Sequence, residues 1–355
     1  MDKLSALRGK IDAVDDQIIE LLNARLKIVK EIGLAKNSSG ISIYKPQREM
    51  AILRRLEELC SNKEDALEPK AIEAIYQEIF AVCRNAEKPQ SVAFLGPVGT
   101  HTHQAASARF GAMSKYMPLI SIKDVFKEVQ DLKADFGVVP IENNSEGAVG
   151  ATYDCLIKFD EIKIFAEIES NIHHVFASNC EDFAQINRIY SHPQAWAQCQ
   201  RFLHSHGLMS AEFVPSKSTA DGAFKAASEE NSAAICSKIA AKLYSLPVLV
   251  EQIEDNLDNK TRFIVLSKQQ NEKMPGCKTS IVINTEHKTG SLSSILNLFA
   301  SAGINLCKIE SRPNKTKEFV YSFFIDFDGH IKDDNVQKVL KEIGQYSWLG
   351  SYLKA

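Results

Sequence analysis

The run Ser91-Val92-Ala93-Phe94-Leu95-Gly96-Pro97-Val98-Gly99-Thr100 combines the signals of a strand and a turn. It begins as a short apolar strand, passes through a turn with two glycines and leads into a helical pattern that starts at His101. A strand, a turn and a helix in this order indicate an α/β domain. The helix N-terminus after the turn is suited to binding an anion. An ordinary β-α turn has the same pattern, so the turn alone leaves both interpretations open.

The periodicity of the sequence changes on either side of this stretch. Residues 1–90 show only helical periodicity and end in a polar linker with Pro89, which stops a helix. Residues 91–268 alternate short apolar runs with helical runs, and a polar joint separates them from residues 278–355. The last segment has the order strand, helix, strand, strand, helix, with a strand over 319–327 and room for a final strand. The sequence therefore predicts a multidomain protein with an all-α domain (1–90), an α/β domain (91–268) and an α+β, ferredoxin-like domain (278–355).

Composition excludes several classes of protein. The 355 residues carry 42 Lys and Arg against 45 Asp and Glu, a formal charge of −3, so the basic excess that nucleic-acid binding needs is missing. No run approaches the roughly 18 apolar residues of a membrane span. The N-terminus has no apolar signal core, which predicts a cytoplasmic protein. The eight cysteines form no C-x-x-C pair, which favours reduced thiols over a zinc site or a disulfide framework.

The N-terminal segment carries a heptad seam along one long helix. Apolar residues recur at alternating spacings of three and four from Leu4 to Ala35, and Arg25 interrupts them once. At 1.5 Å per residue the helix would be about 50 Å long. Because such a helix cannot bury its seam within a small helical unit, the sequence predicts a homodimer or a larger homo-oligomer.

Charged residues occupy the apolar faces of all three predicted helices of this segment. They are Arg25, Glu49 and Glu87. One interpretation is a structural ion pair between Arg25 and either Glu49 or Glu87. The other is a cation-rich pocket inside a helical bundle, suited to a small dianion. The residues alone leave both open.

With its order and spacing intact, the pattern from residue 4 to residue 88 resembles the all-helical chorismate mutase family. The resemblance implies that Arg8 and Arg25 bind the substrate carboxylates, one of them from a partner chain, and that Lys36 lies at the breaking ether oxygen. Lys45 and Cys83 depart from the residues that are usual in the family. The implied substrate-binding residues are Arg8, Arg25, Lys36, Lys45, Arg48, Glu49, Cys83 and Glu87.

The rearrangement of chorismate to prephenate suits a pocket of this kind. Because the reaction is intramolecular and pericyclic, it needs no nucleophile, metal or cofactor. The protein contributes by holding the reacting conformation and by placing a cation where charge develops. Lys36 is the expected cation and Glu87 the expected second donor. Glu87 donates a hydrogen bond only when protonated, so mutase activity should fall as pH rises, and Glu87→Gln should flatten the profile.

Four polar runs of the central segment resemble prephenate dehydratase over residues 91–268. They are the G-P-x-G-T turn at 96–100, the P-I-E-N loop at 140–143, the S-H-P-Q-A turn at 191–195 and the T-R-F strand at 261–263. The resemblance implies two α/β lobes, like those of a periplasmic binding protein, with the site between them. Asn144 replaces a serine of the family pattern, and His101 and Thr102 replace Phe-Ser.

The implied reaction removes the ring hydroxyl and carbon dioxide from prephenate and leaves phenylpyruvate. By resemblance Thr261 is the essential hydroxyl at the leaving group, and Arg262 is a candidate anchor for a carboxylate. A β-branched strand residue is the plain structural interpretation of Thr261. The implied dehydratase residues are Thr100, Glu142, Asn143, Asn144, Thr219, Thr261 and Arg262.

The C-terminal segment resembles the ACT domain that follows dehydratase domains. Gly290-Ser291-Leu292 stands at the family's G-A-L motif, and residues 309–313 match its E-S-R-P motif. The resemblance implies phenylalanine binding across paired modules. A packing module without a ligand is the alternative. The implied effector-binding residues are Gly290, Leu292, Glu310, Ser311 and Arg312.

Together these patterns predict a cytoplasmic, bifunctional chorismate mutase–prephenate dehydratase that phenylalanine inhibits, without cofactor, metal, nucleic acid or membrane. Two alternatives stay open. In one, the dehydratase is active and the helical segment is a dimerisation module with a dead pocket. In the other, the protein is a small-molecule sensor that binds its ligand without turnover, although the intact Thr261-Arg262-Phe263 run argues against it.

Overall fold

The computed structural model describes residues 3–39, 44–61, 63, 66–285, 288–313 and 321–354, and for 37–39 only the backbone. The chain forms two compact units, Met1–Gln90 with Phe110–Lys115, and Ser91–Arg109 with Tyr116–Ala355. Within the described ranges, no helix combines the length and the apolar character that crossing a bilayer requires.

The first unit is built on three helices. They are α1 (Lys3–Ser39), α2 (Pro46–Cys60) and α3 (Pro69–Glu87). Prolines begin α2 and α3, where the missing N–H would have no partner within the helix in any case. The buried side chains of the unit include Tyr44, Ile72 and Phe80. The ring of Tyr44 meets that of Phe110 edge to face, with centroids 5.9 Å apart.

Helix α1 leaves its predicted seam uncovered. Its 37 residues span about 55 Å. The seam residues keep between 44% and 70% of their surface exposed, and they are Leu4, Leu7, Ile11, Val14, Ile18, Leu21, Ile28 and Ile32. A continuous apolar stripe of this length, left exposed on a helix, is typical of an interaction surface.

The second unit begins with a six-stranded sheet. Its strands are β1 (Ser91–Leu95), β2 (Lys115–Leu119), β3 (Phe136–Asn143), β4 (Gly147–Ala148), β5 (Lys163–Asn171) and β11 (Lys260–Ser267). The order is β2-β1-β3-β11-β5, and β4 pairs with β3. Strand β3 runs parallel to β1 and antiparallel to β11. The helices of this lobe are α4 (His101–Phe110), α5 (Ile122–Gln130) and α6 (Gly150–Lys158).

A second lobe lies between β5 and β11 in the chain. Its sheet has the order β10-β6-β9-β7-β8. These strands are β6 (Val175–Ser178), β7 (Arg188–Ser191), β8 (Glu212–Pro215), β9 (Ser232–Cys236) and β10 (Val248–Glu251). Its helices are α7 (Pro193–Ala197), α8 (Gln200–Ser205), α9 (Thr219–Ala227) and α10 (Lys238–Leu243). Since the chain leaves the first sheet after β5 and returns as β11, two connections join the lobes, and the predicted two-lobed fold is confirmed.

The C-terminal module is a four-stranded antiparallel sheet with two helices. Its elements are β12 (Cys277–Thr285), α11 (Ser291–Ser301), β13 (Leu306–Pro313), β14 (Tyr321–Asp328), α12 (Asp334–Ile343) and β15 (Ser347–Leu353). The strand order β13-β14-β12-β15 is that of a ferredoxin-like fold. The predicted strand over 319–327 is observed from Tyr321, and its first two residues lie outside the described ranges.

One face of this third sheet packs on the first lobe. Val282, Phe324, Leu349 and Tyr352 share a buried core with residues of α5, α6, β3 and β11. The ring of Tyr153 in α6 meets that of Phe324 edge to face at 4.6 Å. The C-terminal module is thus continuous with the lobe that carries β3 and β11.

Candidate active sites

The helical unit brings Lys36 and Glu87 together between α1 and α3. Lys36 Nζ donates to Glu87 Oε2 at 2.8 Å, and both side chains are largely buried. Gly33 makes the approach possible, because a Cβ at this position would lie 3.2 Å from Cγ of Glu87. One cation and one carboxyl group therefore face the same interior space of the bundle.

Arg25 and Cys83 form the second contact of this pocket. The Arg25 guanidinium donates to the Cys83 sulfur, and its carbon lies 5.9 Å from the centre of the Phe80 ring. Burial raises the pKa of Cys83, and the Arg25 charge opposes that shift only in part. The thiol is therefore neutral at physiological pH and accepts from Arg25 as a small polar group.

Glu49 is held by a residue that the sequence reasoning missed. Arg84, whose exposed fraction is 3%, donates to Glu49 Oε1, and its guanidinium lies 4.7 Å from the centre of the Tyr44 ring. Arg84 follows Cys83 directly, so a search along one apolar stripe of α3 passes over it. One of the two interpretations of these charges is an ion pair between Arg25 and Glu49 or Glu87. The described contacts do not include it, and each of the three residues has a different partner.

The remaining three residues of the predicted set are at least partly exposed. Arg8 and Arg48 are exposed, and Lys45 is half-buried just before α2. Arg8 and Arg25 share helix α1, and about 26 Å separates them along its axis. A single chain therefore cannot bring both arginines to one small substrate.

Asn143 and Thr261, two of the predicted dehydratase residues, face each other across β3 and β11. Asn143 Nδ2 donates to Thr261 Oγ1 at 2.8 Å and to Asn259 Oδ1 at 2.9 Å. Asn143 Oδ1 accepts the backbone N–H groups of Ser145 and Glu146, which fixes the direction of the amide. Because Thr261 Oγ1 accepts from Asn143, its own hydrogen is available to donate to a ligand. Thr261 is 8% exposed, so that donation takes place in a largely dry environment.

Asn144 holds the loop that leads into β11. Its Nδ2 donates to the Asp258 carbonyl at 2.5 Å, and its Oδ1 accepts from the Lys260 N–H at 3.0 Å. The two contacts use the two ends of the amide, whereas a serine offers a single, shorter hydroxyl group. The departure from the family pattern therefore fastens the segment that presents Thr261.

Thr100 and Thr219 belong to a second group, where the two lobes meet. Thr100 Oγ1 accepts from the His103 N–H at 3.3 Å at the start of α4, and Thr219 is the first residue of α9. Gly99 has a φ of +89°, and a Cβ there would lie 3.1 Å from Cβ of Ala220. Ser237 Oγ also donates to the Gly99 carbonyl at 2.6 Å. Two helix N-termini therefore come close together, an arrangement that favours an anion.

Glu142 and Arg262 point away from the Asn143–Thr261 contact. Each is the strand neighbour of a residue of that contact, and successive strand side chains lie on opposite faces. Arg262 Nη2 lies 3.2 Å from Glu142 Oε2, and Nη1 lies 3.0 Å from Asp326 Oδ2 and 3.3 Å from Glu167 Oε2. The structure therefore places Arg262 among carboxylates of the protein itself.

Three histidines of this unit have side-chain partners within the protein or lie in its interior. His173 Nδ1 lies 2.6 Å from Glu254 Oε1, and His174 Nε2 lies 3.1 Å from Gln198 Oε1. Burial lowers the pKa of His101 to about 3, so its ring is neutral. Across the described part of the chain, no three His, Cys, Asp or Glu side chains are grouped as the ligands of a metal ion would be.

The predicted effector residues occupy two places in the C-terminal module. Gly290, with a φ of +86°, precedes α11, and Leu292 is half-buried in its first turn. Strand β13 alternates between half-buried and exposed residues, so that Glu310 and Arg312 face inward and Ser311 faces outward. A Cβ on Gly150 would lie 2.6 Å from the Arg312 guanidinium, which therefore packs closely on the start of α6.

Comparison with known proteins assigns a family to each segment. A profile of chorismate mutase type II matches residues 7–88, one of prephenate dehydratase matches residues 92–271, and one of the ACT domain matches residues 279–345. A bifunctional chorismate mutase/prephenate dehydratase from Aquifex aeolicus is 40% identical over 362 residues, which are 100% of this chain and 99% of the relative. One from Pseudomonas aeruginosa is 39% identical over 364 residues, with 100% and 98% covered.

A solved structure shows the same fold over most of the chain. The prephenate dehydratase of Arthrobacter aurescens, in complex with L-Phe, has a TM-score of 0.68 and 36% identity. It covers 75% of this chain, and 90% of that chain is matched.

Proposed function

The chain belongs to the family of bifunctional chorismate mutase/prephenate dehydratases, and we propose on that premise how its residues divide the two reactions. It rearranges chorismate to prephenate and converts prephenate to phenylpyruvate. We assign the first reaction to the Lys36–Glu87 pocket and the second to the Asn143–Thr261 contact. The observation that carries this division is that each polar cluster lies in its own compact unit. An assay that follows chorismate and prephenate separately tests it.

In the mutase pocket Lys36 donates to the ether oxygen as the C–O bond breaks. The Lys36–Glu87 contact supports this role, because it places the ammonium in a largely buried space where a charge is poorly screened. Arg25 binds a substrate carboxylate, and Glu49, held by Arg84, accepts from the ring hydroxyl. Arg48 and Lys45 at the start of α2 complete the set. Cys83 contributes a neutral contact that keeps Arg25 in place.

Glu87→Gln should flatten the pH dependence of the mutase reaction. Lys36 engages one carboxyl oxygen of Glu87, so the other can donate to the substrate only when it carries a proton. A carboxyl group donates this hydrogen bond only while it keeps its proton, whereas a glutamine amide donates at every pH, so we expect kcat of the wild type, but not of Glu87→Gln, to fall as the pH rises. Measuring kcat on chorismate between pH 5 and 9 for both proteins checks this. Parallel profiles in the two proteins would remove Glu87 from the donor role.

A second chain completes the mutase pocket and forms at least a homodimer. The uncovered seam of α1 supports this assembly, because it offers a long apolar surface to an identical helix. The separation of Arg8 from Arg25 supports it as well, since only Arg8 of another copy can reach the Arg25 pocket. The mutase site is therefore shared between chains.

The Arg8→Ala protein and the Arg25→Ala protein should each have little mutase activity when expressed alone. When the two variants are co-expressed, part of the activity should return. In a mixed dimer one pocket lacks both arginines and the other has both. Random pairing makes about half of the dimers mixed, and half of their pockets are intact, so about a quarter of the wild-type activity should return. Co-expression of the two variants, followed by a chorismate assay, measures this. Each variant expressed alone is the control. A mixture no more active than the single variants would place both arginines in one chain's pocket or outside the site.

In the dehydratase site Thr261 donates to the departing ring hydroxyl. The Asn143 contact supports this role, because it leaves the threonine hydrogen free to point toward the substrate. The N-termini of α4 and α9, with Thr100 and Thr219, bind the carboxylates of prephenate. Loss of carbon dioxide and of the hydroxyl then aromatises the ring. A threonine hydroxyl is a weak acid, so it acts by hydrogen bonding rather than by complete proton transfer.

The C-terminal module binds phenylalanine and thereby lowers dehydratase activity. The L-Phe bound to the Arthrobacter aurescens relative supports this, as does the position of Gly290 and Leu292 at the start of α11. Ser311 and the exposed edge of β13 would complete the site against a second module. The domain limits 1–90, 91–268 and 278–355 remain predictions. A cytoplasmic location is proposed as well, and the eight free cysteines support a reducing compartment.

A further inference from the structure

The strand pair that presents Thr261 and Asn143 also carries a charged pair on its other face. Arg262 follows Thr261 in β11, Glu142 precedes Asn143 in β3, and the two are direct partners in the strand register. A shift of Arg262 or Glu142 therefore moves the backbone of the catalytic contact. In each strand the charged residue is the immediate chain neighbour of the residue that forms the Asn143–Thr261 contact.

Two residues of the C-terminal module hold this charged pair. Asp326 Oδ2 in β14 lies 3.0 Å from Arg262 Nη1, and Lys308 Nζ in β13 lies 2.6 Å from Glu142 Oε2. Ser280 Oγ donates to the other oxygen of Asp326 at 2.6 Å, so that carboxylate is fixed within its own sheet. The contacts thus join β13 and β14 to β3 and β11.

These contacts belong to a balanced and largely buried set, which we call the interdomain ion network. Lys278 adds to it by lying 2.5 Å from Glu167, which also faces Arg262. Three cations therefore meet three carboxylates, and the network comprises Glu142, Glu167, Arg262, Lys278, Lys308 and Asp326. Removing one member leaves an uncompensated charge in a poorly solvated place, so the network resists local distortion.

The protonation states agree with this arrangement. Burial would raise the pKa of Glu142, but Lys308 and Arg262 hold it below its ordinary range. Burial would also lower the pKa of Arg262, and Asp326 and Glu167 outweigh that effect. Both groups are therefore charged at neutral pH. The Arg262 side chain is only 12% exposed and already faces three carboxylates, which leaves it poorly placed to anchor a substrate.

We propose that Lys308 and Asp326 are positioning residues for the dehydratase reaction, which act through Glu142 and Arg262 on the Asn143–Thr261 contact. The inference rests on the proposed role of Thr261. It makes Arg262 a structural link rather than a carboxylate anchor. It also gives the effector strand a direct connection to the active site, because Lys308 lies on β13 two residues before Glu310.

The test compares full-length Lys308→Met, Lys308→Arg and Asp326→Asn with wild type on prephenate. The control is Lys354→Met, which removes an ion pair of 2.6 Å whose two members, Lys354 and Asp328, both lie in the C-terminal module. We expect Lys308→Met and Asp326→Asn to lower kcat about tenfold, with KM changed by less than about twofold. Lys308→Arg should recover most of the loss, and Lys354→Met should match wild type.

The response to phenylalanine provides a second readout. The phenylalanine concentration that half-inhibits Lys308→Met should be at least about fivefold higher than that for the wild type. The concentration for Lys308→Arg should be close to the wild-type value. The inference is overturned if Lys308→Met and Asp326→Asn match Lys354→Met in kcat, or if they raise KM and leave kcat unchanged. If phenylalanine does not inhibit the wild type, the kcat comparison alone decides. A wild type that does not turn over prephenate would instead refute the proposed function.

Discussion

Thr261→Ala is expected to lower dehydratase kcat by about 10² to 10³, the cost of removing one preorganised donor from a transition state. Mutase activity in the same protein should stay at the wild-type level, because the Lys36–Glu87 pocket belongs to the other compact unit. Asn143 keeps Asn259 and the Lys260 carbonyl as acceptors after the change, so the fold should lose only about 1 kcal/mol. Steady-state assays on prephenate and on chorismate measure the two activities.

Thr261→Ser is the matched control for this change. It keeps the hydroxyl and removes only a methyl group, so most dehydratase activity should remain. Thr261→Val keeps the shape and removes the hydroxyl, and it should be as inactive as Thr261→Ala. An active Thr261→Val protein would show that the hydroxyl has no part in the reaction. Equal loss of both activities in Thr261→Ala would indicate a general effect on folding.

Lys36→Ala is expected to lower mutase kcat by about 10³ while dehydratase activity on supplied prephenate stays unchanged. The change removes the one cation that meets Glu87 in the described pocket, and the charge that develops on the ether oxygen then has no counterpart there. Separate assays on chorismate and on prephenate give the two rates. Lys36→Arg keeps the charge with a different shape and should retain a measurable part of the rate.

Lys27→Ala provides the matched control on the same helix. Lys27 belongs to α1 and is exposed, nine residues before Lys36, so its loss should leave mutase kcat within about twofold of wild type. A Lys36→Ala protein with normal chorismate turnover would support the alternative in which the helical segment serves only dimerisation.

Much of the architecture could be predicted because the periodicities are strong. The heptad seam of α1, the strand-turn-helix stretch at residue 91 and the strand order of the C-terminal module are all local patterns, and local patterns determine element type. Asn143 and Thr261 could be named from motifs. Their hydrogen bond could not, because it depends on the register of β3 against β11, which lie more than a hundred residues apart in the chain.

The residues that escaped prediction are those whose environment is set by tertiary packing. Arg84 is buried although its position on α3 lies beside the apolar stripe, since Tyr44 and Glu49 from other parts of the unit enclose it. Asp326 and Lys308 sit in an ordinary strand pattern, and only the packing of the third sheet on the first lobe gives them a role. Arg262 shows what a motif alone does not predict. The T-R-F run identifies the residue, but its partners depend on the face of β11 on which the side chain lies.

We propose that one chain holds two separate active sites and that free prephenate passes from one to the other. Mixing equal amounts of the Lys36→Ala and Thr261→Ala proteins with chorismate, and following phenylpyruvate, tests it most directly. Each protein alone should form almost no phenylpyruvate, and Thr261→Ala should accumulate prephenate. The mixture should convert chorismate to phenylpyruvate, because one protein makes the intermediate that the other consumes. A mixture that forms no more phenylpyruvate than the separate proteins would rule out two independent sites that exchange prephenate.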